Sequence, residues 1–351
     1  MLAQLPVEII DQVIECLSLQ DIRAVACVCS ALRPPALLRL FRTIRIRSLA
    51  EANDTTPSRT EVILSHPNLL HCASRLIVKQ SQFPYEREIS IDSLWPHLPM
   101  MYRLTYLELD LPPSNYAIGL STLEGLGLTK EIELNLRHPL TPELIISDTP
   151  LPVRSLSIRV NTLGDQVTRR LLQKCSQSLR KLHLSLQMNR VPSIPPLPHL
   201  CALSLHPTLT SGVPDLALWF PFLDQHPTIT RLSIDRASVS AVPIPPNILP
   251  NLQSLKTSPV IGERLIPGRP VHSVQAKSYS TPYNSSFPGD IMSRVLRPSN
   301  VPLTILEITR YHILPEELIK LVQTLPKLRK FTLERFCYQV CQLFNGPGIQ
   351  I

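Results

Sequence analysis

An apolar triplet with the spacing Leu-x-x-Leu-x-Leu returns eleven times along this chain of 351 residues, and it constrains the fold more than any other feature. Clear copies are Leu104/Leu107/Leu109, Val153/Leu156/Ile158, Leu179/Leu182/Leu184, Leu200/Leu203/Leu205, Ile229/Leu232/Ile234, Leu303/Leu306/Ile308 and Leu328/Phe331/Leu333. Weaker copies lie at Ala73/Leu76/Val78, Leu134/Leu136, Leu252/Leu255 and Val271/Val274/Ala276. First positions fall at 73, 104, 131, 153, 179, 200, 229, 252, 271, 303 and 328, so the ten intervals cover 255 residues and average 25.5. Within a copy the last two apolar residues alternate with polar ones, the period-two signature of a strand buried on one face. Chance strands in a Leu-rich α/β domain would give similar triplets locally, but not near-constant spacing over most of the chain.

That period lies within the range of about 20–29 residues of leucine-rich repeats. The expected fold is therefore α/β: an N-terminal helical segment followed by an irregular leucine-rich-repeat solenoid with parallel strands on its concave face. Leu98-Pro99, Leu197-Pro198, His226-Pro227, Leu249-Pro250 and Leu325-Pro326 each precede a copy. Proline there ends the convex segment and presets an extended lead into the strand. The 36 prolines are about twice the average usage and the 10 glycines are few, which argues against a glycine-dependent cofactor loop. The sequence divides into residues 1–46, a linker or cap over 47–70 with a helix near Thr60 to Leu64, and the solenoid over 71–351, interrupted by a long polar loop near 278–300.

Several function classes are disfavoured. The start Met1-Leu2-Ala3-Gln4 lacks a basic and then apolar leader, and no charge-free apolar run approaches the roughly 20 residues of a membrane span. A cytoplasmic or nuclear protein without membrane contact is expected. The eight cysteines are scattered and read as reduced, mostly buried thiols. Cys27/Cys29 and Cys337/Cys341 lack zinc spacing and a placed histidine, so no metal is expected. The sequons at Asn53 and Asn284 have no route to glycosylation without a leader. No catalytic or cofactor fingerprint is present, and Glu316/Glu317 read as acidic residues of a helix start after Pro315. Neither catalytic residues nor a cofactor are expected. The net charge of +8 raises nucleic-acid binding, but the basic residues are spread out without aromatic interleaving, which argues against it.

The first forty residues predict three short helices. Helix 1 should open at Leu5-Pro6, with Ile9, Ile10, Val13, Ile14 and Leu17 on one wide apolar face and Asp11, Gln12 and Glu15 opposite. Ser18-Leu19-Gln20-Asp21 resembles a capping box for helix 2, which should turn Ile22, Val25, Ala26, Val28, Cys29 and Leu32 inward and end at Pro34-Pro35. A third helix over Ala36 to Phe41 leads into a strand at Thr43 to Arg47. So small a unit is at the edge of folding alone, and its apolar surplus points to a protein interface beyond a simple cap of the solenoid.

Leu5-Pro6-x-Glu8-Ile9-Ile10, Leu17, Asp21-Ile22 and Val28-Cys29 with Arg33 closely resemble the F-box, and Leu40-Phe41-Arg42-Thr43-Ile44 resembles its fungal version. Leu32 departs from it, standing where many F-boxes have tryptophan and lowering the expected contact area. The resemblance implies an adaptor of an SCF-type cullin ubiquitin ligase. Leu5, Pro6, Ile9, Ile10, Ile14, Leu17 and Val28 would then contact, or support contact with, the Skp-type adaptor, and through it the cullin and RING subunit. The repeats would bind a protein substrate, and catalysis would occur elsewhere. The alternative is a leucine-rich-repeat interaction scaffold outside any ligase.

Outward positions in the middle of the array carry Arg159, Lys181, Arg231, Lys256 and Lys277 against Asp235, a local excess of four positive charges. Such a stripe is expected to receive an acidic or phosphorylated substrate through charge-assisted hydrogen bonds.

Overall fold

The computed structural model describes residues 5–47, 65–79, 94–111, 120–123, 132–140, 149–160, 165–186, 194–207, 215–235, 244–245, 247–277, 299–309 and 315–334. The proposed helix near Thr60, both sequons, the polar loop through 278–298 and Cys337/Cys341 lie outside them. The chain divides into two compact units, Met1–Ile158 and Arg159–Ile351.

In the first unit, helices α1 (Val7–Cys16), α2 (Leu19–Val28) and α3 (Arg33–Leu40) precede strands β1 (Thr43–Arg47), β2 (Arg75–Lys79), β3 (Tyr106–Asp110), β4 (Ile132–Pro139) and β5 (Val153–Val160). The second holds β6 (Lys181–Leu186), β7 (Ala202–Pro207), β8 (Arg231–Ile234), β9 (Ser254–Thr257), β10 (Ser273–Lys277), β11 (Ile305–Thr309) and β12 (Lys330–Glu334). Within each unit the strands pair in sequence order, and the pairing is parallel. Each of the eleven copies supplies a strand, although the first apolar residue of most, such as Leu104 or Leu179, lies two residues ahead of it, and β1 adds the strand expected at Thr43 to Arg47. This is the leucine-rich-repeat fold.

Register explains why the triplets must align. In the second unit Leu182 pairs with Leu203, Leu203 with Leu232, Leu232 with Leu255, Leu255 with Val274, and Val274 with Leu306. All six are 0–3% exposed. Leu76, Leu107 and Leu134 form the matching row in the first unit. Burying each such leucine stabilises by about 2 kcal/mol, and a one-residue slip would turn the whole row to water.

Between strands, the proline phrases end compact turns as expected. Leu98, Leu197, Leu249 and Leu325 are buried beside their prolines. Where the phrase has histidine instead, His226 is 2% exposed and satisfied on both nitrogens. Its Nδ1 bonds Phe222 O at 2.7 Å, and Leu197 N–H donates to its Nε2 at 3.0 Å. Burial pulls its pKa down, against a smaller upward push from the Phe222 carbonyl, so the imidazole is neutral. Arg269 ties a convex segment in the same way. Its Nε donates to Ile248 O at 2.8 Å, Nη1 to Leu265 O and Pro267 O at 3.0 Å, and Nη2 to Pro245 O at 3.1 Å.

The N-terminal helices depart from the sequence reading in three respects. Helix α2 stops at Val28, and Pro34-Pro35 sit in the first turn of α3, where missing N–H groups go unused. Val28 does not turn inward: it is 85% exposed at the end of α2. The cysteines are not mostly buried either. Of the six described, only Cys175 is buried, whereas Cys16 and Cys27 are exposed on α1 and α2. The shared cause is size, since three short helices have one small core, Ile14, Ile22, Ala26 and Ala36, and cannot cover every apolar side chain. The expected cap of α2 is present: Ser18 Oγ accepts the Asp21 N–H at 3.3 Å, and its hydroxyl donates to Asp21 Oδ2 at 2.6 Å.

Replacing Arg269 by Met should leave the carbonyls of Ile248, Leu265 and Pro267 without their donor, Pro245 O keeping the Ile248 N–H, and lower stability by about 3 kcal/mol. Urea unfolding followed by circular dichroism measures this, and an unchanged midpoint would show the carbonyls to be satisfied otherwise.

Candidate functional site

Two surfaces qualify, and each arises from side chains left over after the cores are filled. The first is on α1 and α2. Residues four apart share a helix face, so the wide apolar face of α1 resolves into two stripes. Ile10, Ile14 and Leu17 pack inward: Ile14 is 3% exposed, and Ile10 and Leu17 lie against the same small core. Leu5, Ile9 and Val13 form the second stripe, exposed by 39%, 42% and 45%. On α2, Leu19 at 61% and Val28 at 85% continue the apolar surface. Elsewhere among the described residues, the large exposed apolar side chains, such as Tyr102, Leu218, Val260 and Ile319, are isolated in sequence.

Of the residues expected to meet an adaptor, Leu5, Pro6, Ile9 and Val28 are thus at the surface. Ile10 and Leu17 are half-buried, and Ile14 supports the helices from within. Val13 and Leu19 were absent from the expected set. The i, i+4 spacing of Ile9 and Val13 within α1 was available in the sequence as the signal for the first of them.

The second surface is the strand face opposite the leucines. In the first unit several of its charges meet at one carboxylate. Glu108, 5% exposed on β3, accepts the Tyr106 hydroxyl at 2.7 Å and Arg137 Nε at 3.1 Å, with Arg137 Nη2 at 3.0 Å and Lys79 Nζ at 3.4 Å. The Arg75 guanidinium stacks 4.3 Å above the Tyr106 ring. Burial pushes the Glu108 carboxyl upward in pKa, but the Tyr106 hydroxyl, Arg137 and Lys79 together hold it below its ordinary 4.5. Sequence spacing alone does not reveal this network, because its members meet only through strand register.

In the second unit the face is differently balanced. Asp235 is engaged by His206 Nδ1 at 2.6 Å and Lys277 Nζ at 3.3 Å, and His206 Nε2 lies 2.9 Å from Ser204 Oγ. Lys277 is therefore tied to the one carboxylate of the expected stripe. Arg159, at the far end of β5, is half-buried and engaged by a partner of its own. Lys181, Arg231 and Lys256 are brought together on β6, β8 and β9, and among the described residues they form no ion pair. Also among the described residues, no group of three His, Cys, Asp or Glu side chains is placed to hold a metal ion, and no helix is long and apolar enough to cross a membrane.

No protein-family description matches this chain, and no curated protein matches it. Solved structures similar to it include the yeast Rad7–Elc1 complex, at 14% identity and a TM-score of 0.44, with 91% of this chain and 89% of that one covered. Another is a leucine-rich-repeat protein of Leptospira interrogans, at 17% identity and a TM-score of 0.32, covering 84% of this chain and 62% of that one.

Glu108→Gln should destabilise the protein by about 2 kcal/mol at neutral pH, since it leaves Arg137 and Lys79 without an anion. A carboxyl held below its ordinary value stabilises fully above pH 4.5, and that stabilisation is lost as the pH falls through the folded value. Urea midpoints between pH 7 and pH 3 should therefore fall less steeply in the variant than in the wild type. Parallel curves would remove Glu108 from the account of acid sensitivity.

Proposed function

We propose that this chain is the substrate-recognition subunit of an SCF-type cullin ubiquitin ligase. Helices α1 and α2 dock the Skp-type adaptor, which joins the chain to the cullin and RING subunit, and the strand face holds a protein substrate. Ubiquitin transfer falls to the partner subunits, in the cytoplasm or nucleus.

The observation that carries this reading is the concentration of exposed apolar side chains on the first two helices. Leu5, Ile9, Val13, Leu19 and Val28 lie within 24 residues, with the thiols of Cys16 and Cys27 exposed among them. Free cysteine and large aliphatic side chains are ordinarily buried. A docking partner would remove them from water, and the F-box-like spacing of Leu5-Pro6-x-Glu8-Ile9-Ile10 names the adaptor as that partner. Leu32, in the position of a frequent tryptophan, is half-buried at the start of α3, so the outer stripe of α1 must supply the larger share of contact.

The structure also selects the variant for the test. Ile10 packs on the core, whereas Ile9 and Val13 do not, so Ile9→Asp/Val13→Asp should leave the fold intact. On size-exclusion chromatography with a fungal Skp-type adaptor, the wild type should co-elute. The double variant should lose binding by about a hundredfold or more, the effect of removing two interface anchors. A wild-type chain that elutes folded but alone would replace this reading with an interaction scaffold outside any ligase.

A further inference from the structure

The sheet of the second unit holds a serine, a histidine and a carboxylate in one hydrogen-bonded line. Ser204 and His206 stand two residues apart on β7 and share its outward face, because Leu203 and Leu205 turn into the core. Asp235 follows β8 directly, and its N–H donates to Leu205 O at 3.0 Å, which sets its carboxylate beside His206. Asp235 Oδ2 lies 2.6 Å from His206 Nδ1, and Ser204 Oγ lies 2.9 Å from His206 Nε2. An ionised carboxylate only accepts hydrogen bonds, so Nδ1 carries the ring proton. Nε2 is then the nitrogen with the free lone pair, and the Ser204 hydroxyl donates to it.

Neighbouring groups hold this line in place. The His183 ring lies against that of His206, with centroids 4.2 Å apart. Lys277 Nζ, 3.3 Å from the same Asp235 oxygen, also holds the carboxylate, which borders an apolar recess with Pro207, Trp219 and Ile234. One step back along the outward face of β7 is Ala202, roughly 7 Å from Ser204 along the strand. Register sets it between Lys181 on β6 and Arg231 on β8. A methyl group flanked by two long cationic side chains leaves space next to the Ser204 hydroxyl, with positive charge on both sides of it.

The geometry points to acyl transfer at Ser204, with a carboxylic ester as the substrate class. This activity goes beyond the ligase reading and does not depend on it. Ser204 Oγ attacks the ester carbonyl carbon while its proton passes to His206 Nε2. The carbonyl oxygen becomes an oxyanion above Ala202, where Lys181 and Arg231 stabilise it. Collapse of the adduct breaks the bond to the alcohol, which leaves with the proton from Nε2. Water, giving a proton to the same nitrogen, then attacks acyl-Ser204; the carboxylic acid departs and that proton returns to Oγ. Ser204 and His206 are the catalytic residues, and Asp235 is a positioning residue that keeps the Nε2 lone pair on the serine. A hydroxyl on the outward face does not suffice, since Ser254 on β9 has Arg231 and Ser273 opposite it and no imidazole.

The test uses the full chain and two probes, a biotinylated fluorophosphonate, which phosphonylates an activated serine with loss of fluoride, and p-nitrophenyl acetate. Mass spectrometry should map the phosphonyl group to Ser204 in the folded wild type, and the urea-unfolded chain should not be labelled. Ser204→Ala should abolish labelling, His206→Gln should slow it by about a hundredfold or more, the share of a general base, and Ser254→Ala should leave it unchanged. Asp235→Asn should lower kcat for p-nitrophenyl acetate by about tenfold or more with KM unchanged, since it disturbs the imidazole and not the binding of ester. A folded wild type that is not labelled, labelling at another residue, or equal rates in wild type and His206→Gln would each overturn the inference. So would an Asp235→Asn variant that changes KM alone. Adaptor co-elution does not bear on the result, because α1 and α2 contribute no residue to this site.

Discussion

Everything in this protein depends on apolar rows that run across parallel strands. A single strand with two or three buried leucines cannot exclude water from them, and its neighbours in sequence complete the enclosure. Leu182, Leu203, Leu232 and Leu255 show the principle, since each lies opposite the next and none is more than 2% exposed. Because side chains alternate along a strand, the same register that buries the leucines also lines up the residues between them. The outward strand face is thus a by-product of the core. Its composition can vary without disturbing what holds the repeats together.

The two units use that freedom differently. In the first, Glu108 is driven nearly out of solvent and satisfied by Tyr106, Arg137 and Lys79, a local network that ties β2, β3 and β4 together. In the second, Asp235 engages His206 and Lys277, while Lys181, Arg231 and Lys256 on β6, β8 and β9 form no ion pair among the described residues. The N-terminal helices add a third kind of surface, made of aliphatic side chains that their small core cannot accept. A charged face and an apolar face on one chain suit two partners of unlike chemistry, as a receptor that links a substrate to a larger assembly requires.

Much of this was legible in the sequence, and the boundary is physical. All eleven triplets mark strands because a period of two with fixed spacing has no other stable outcome in a repeat. The Ser18 cap and the acidic first turn at Glu316 and Glu317 were visible for the same reason, since both are set by neighbours in sequence. What was not legible depends on distant residues meeting. The pairing of Lys277 with Asp235 crosses 42 positions, and that of Arg137 with Glu108 crosses 29. The division of α1 into an inner stripe at Ile10 and Ile14 and an outer one at Ile9 and Val13 depends on where α2 and α3 come to rest. Proline misled at Pro34-Pro35 because it ends one helix and begins another equally well.

The most direct test of the account is amide hydrogen exchange on the full chain, alone and with a fungal Skp-type adaptor. Amides of β6 to β12 should exchange slowly in both states, since the apolar rows hold them. Those of α1 and α2 should exchange quickly in the isolated chain and slow by tenfold or more in the complex. Helices α1 and α2 that are as protected as the strands without a partner, and unchanged when the adaptor is added, would contradict the claim that these helices are completed by docking.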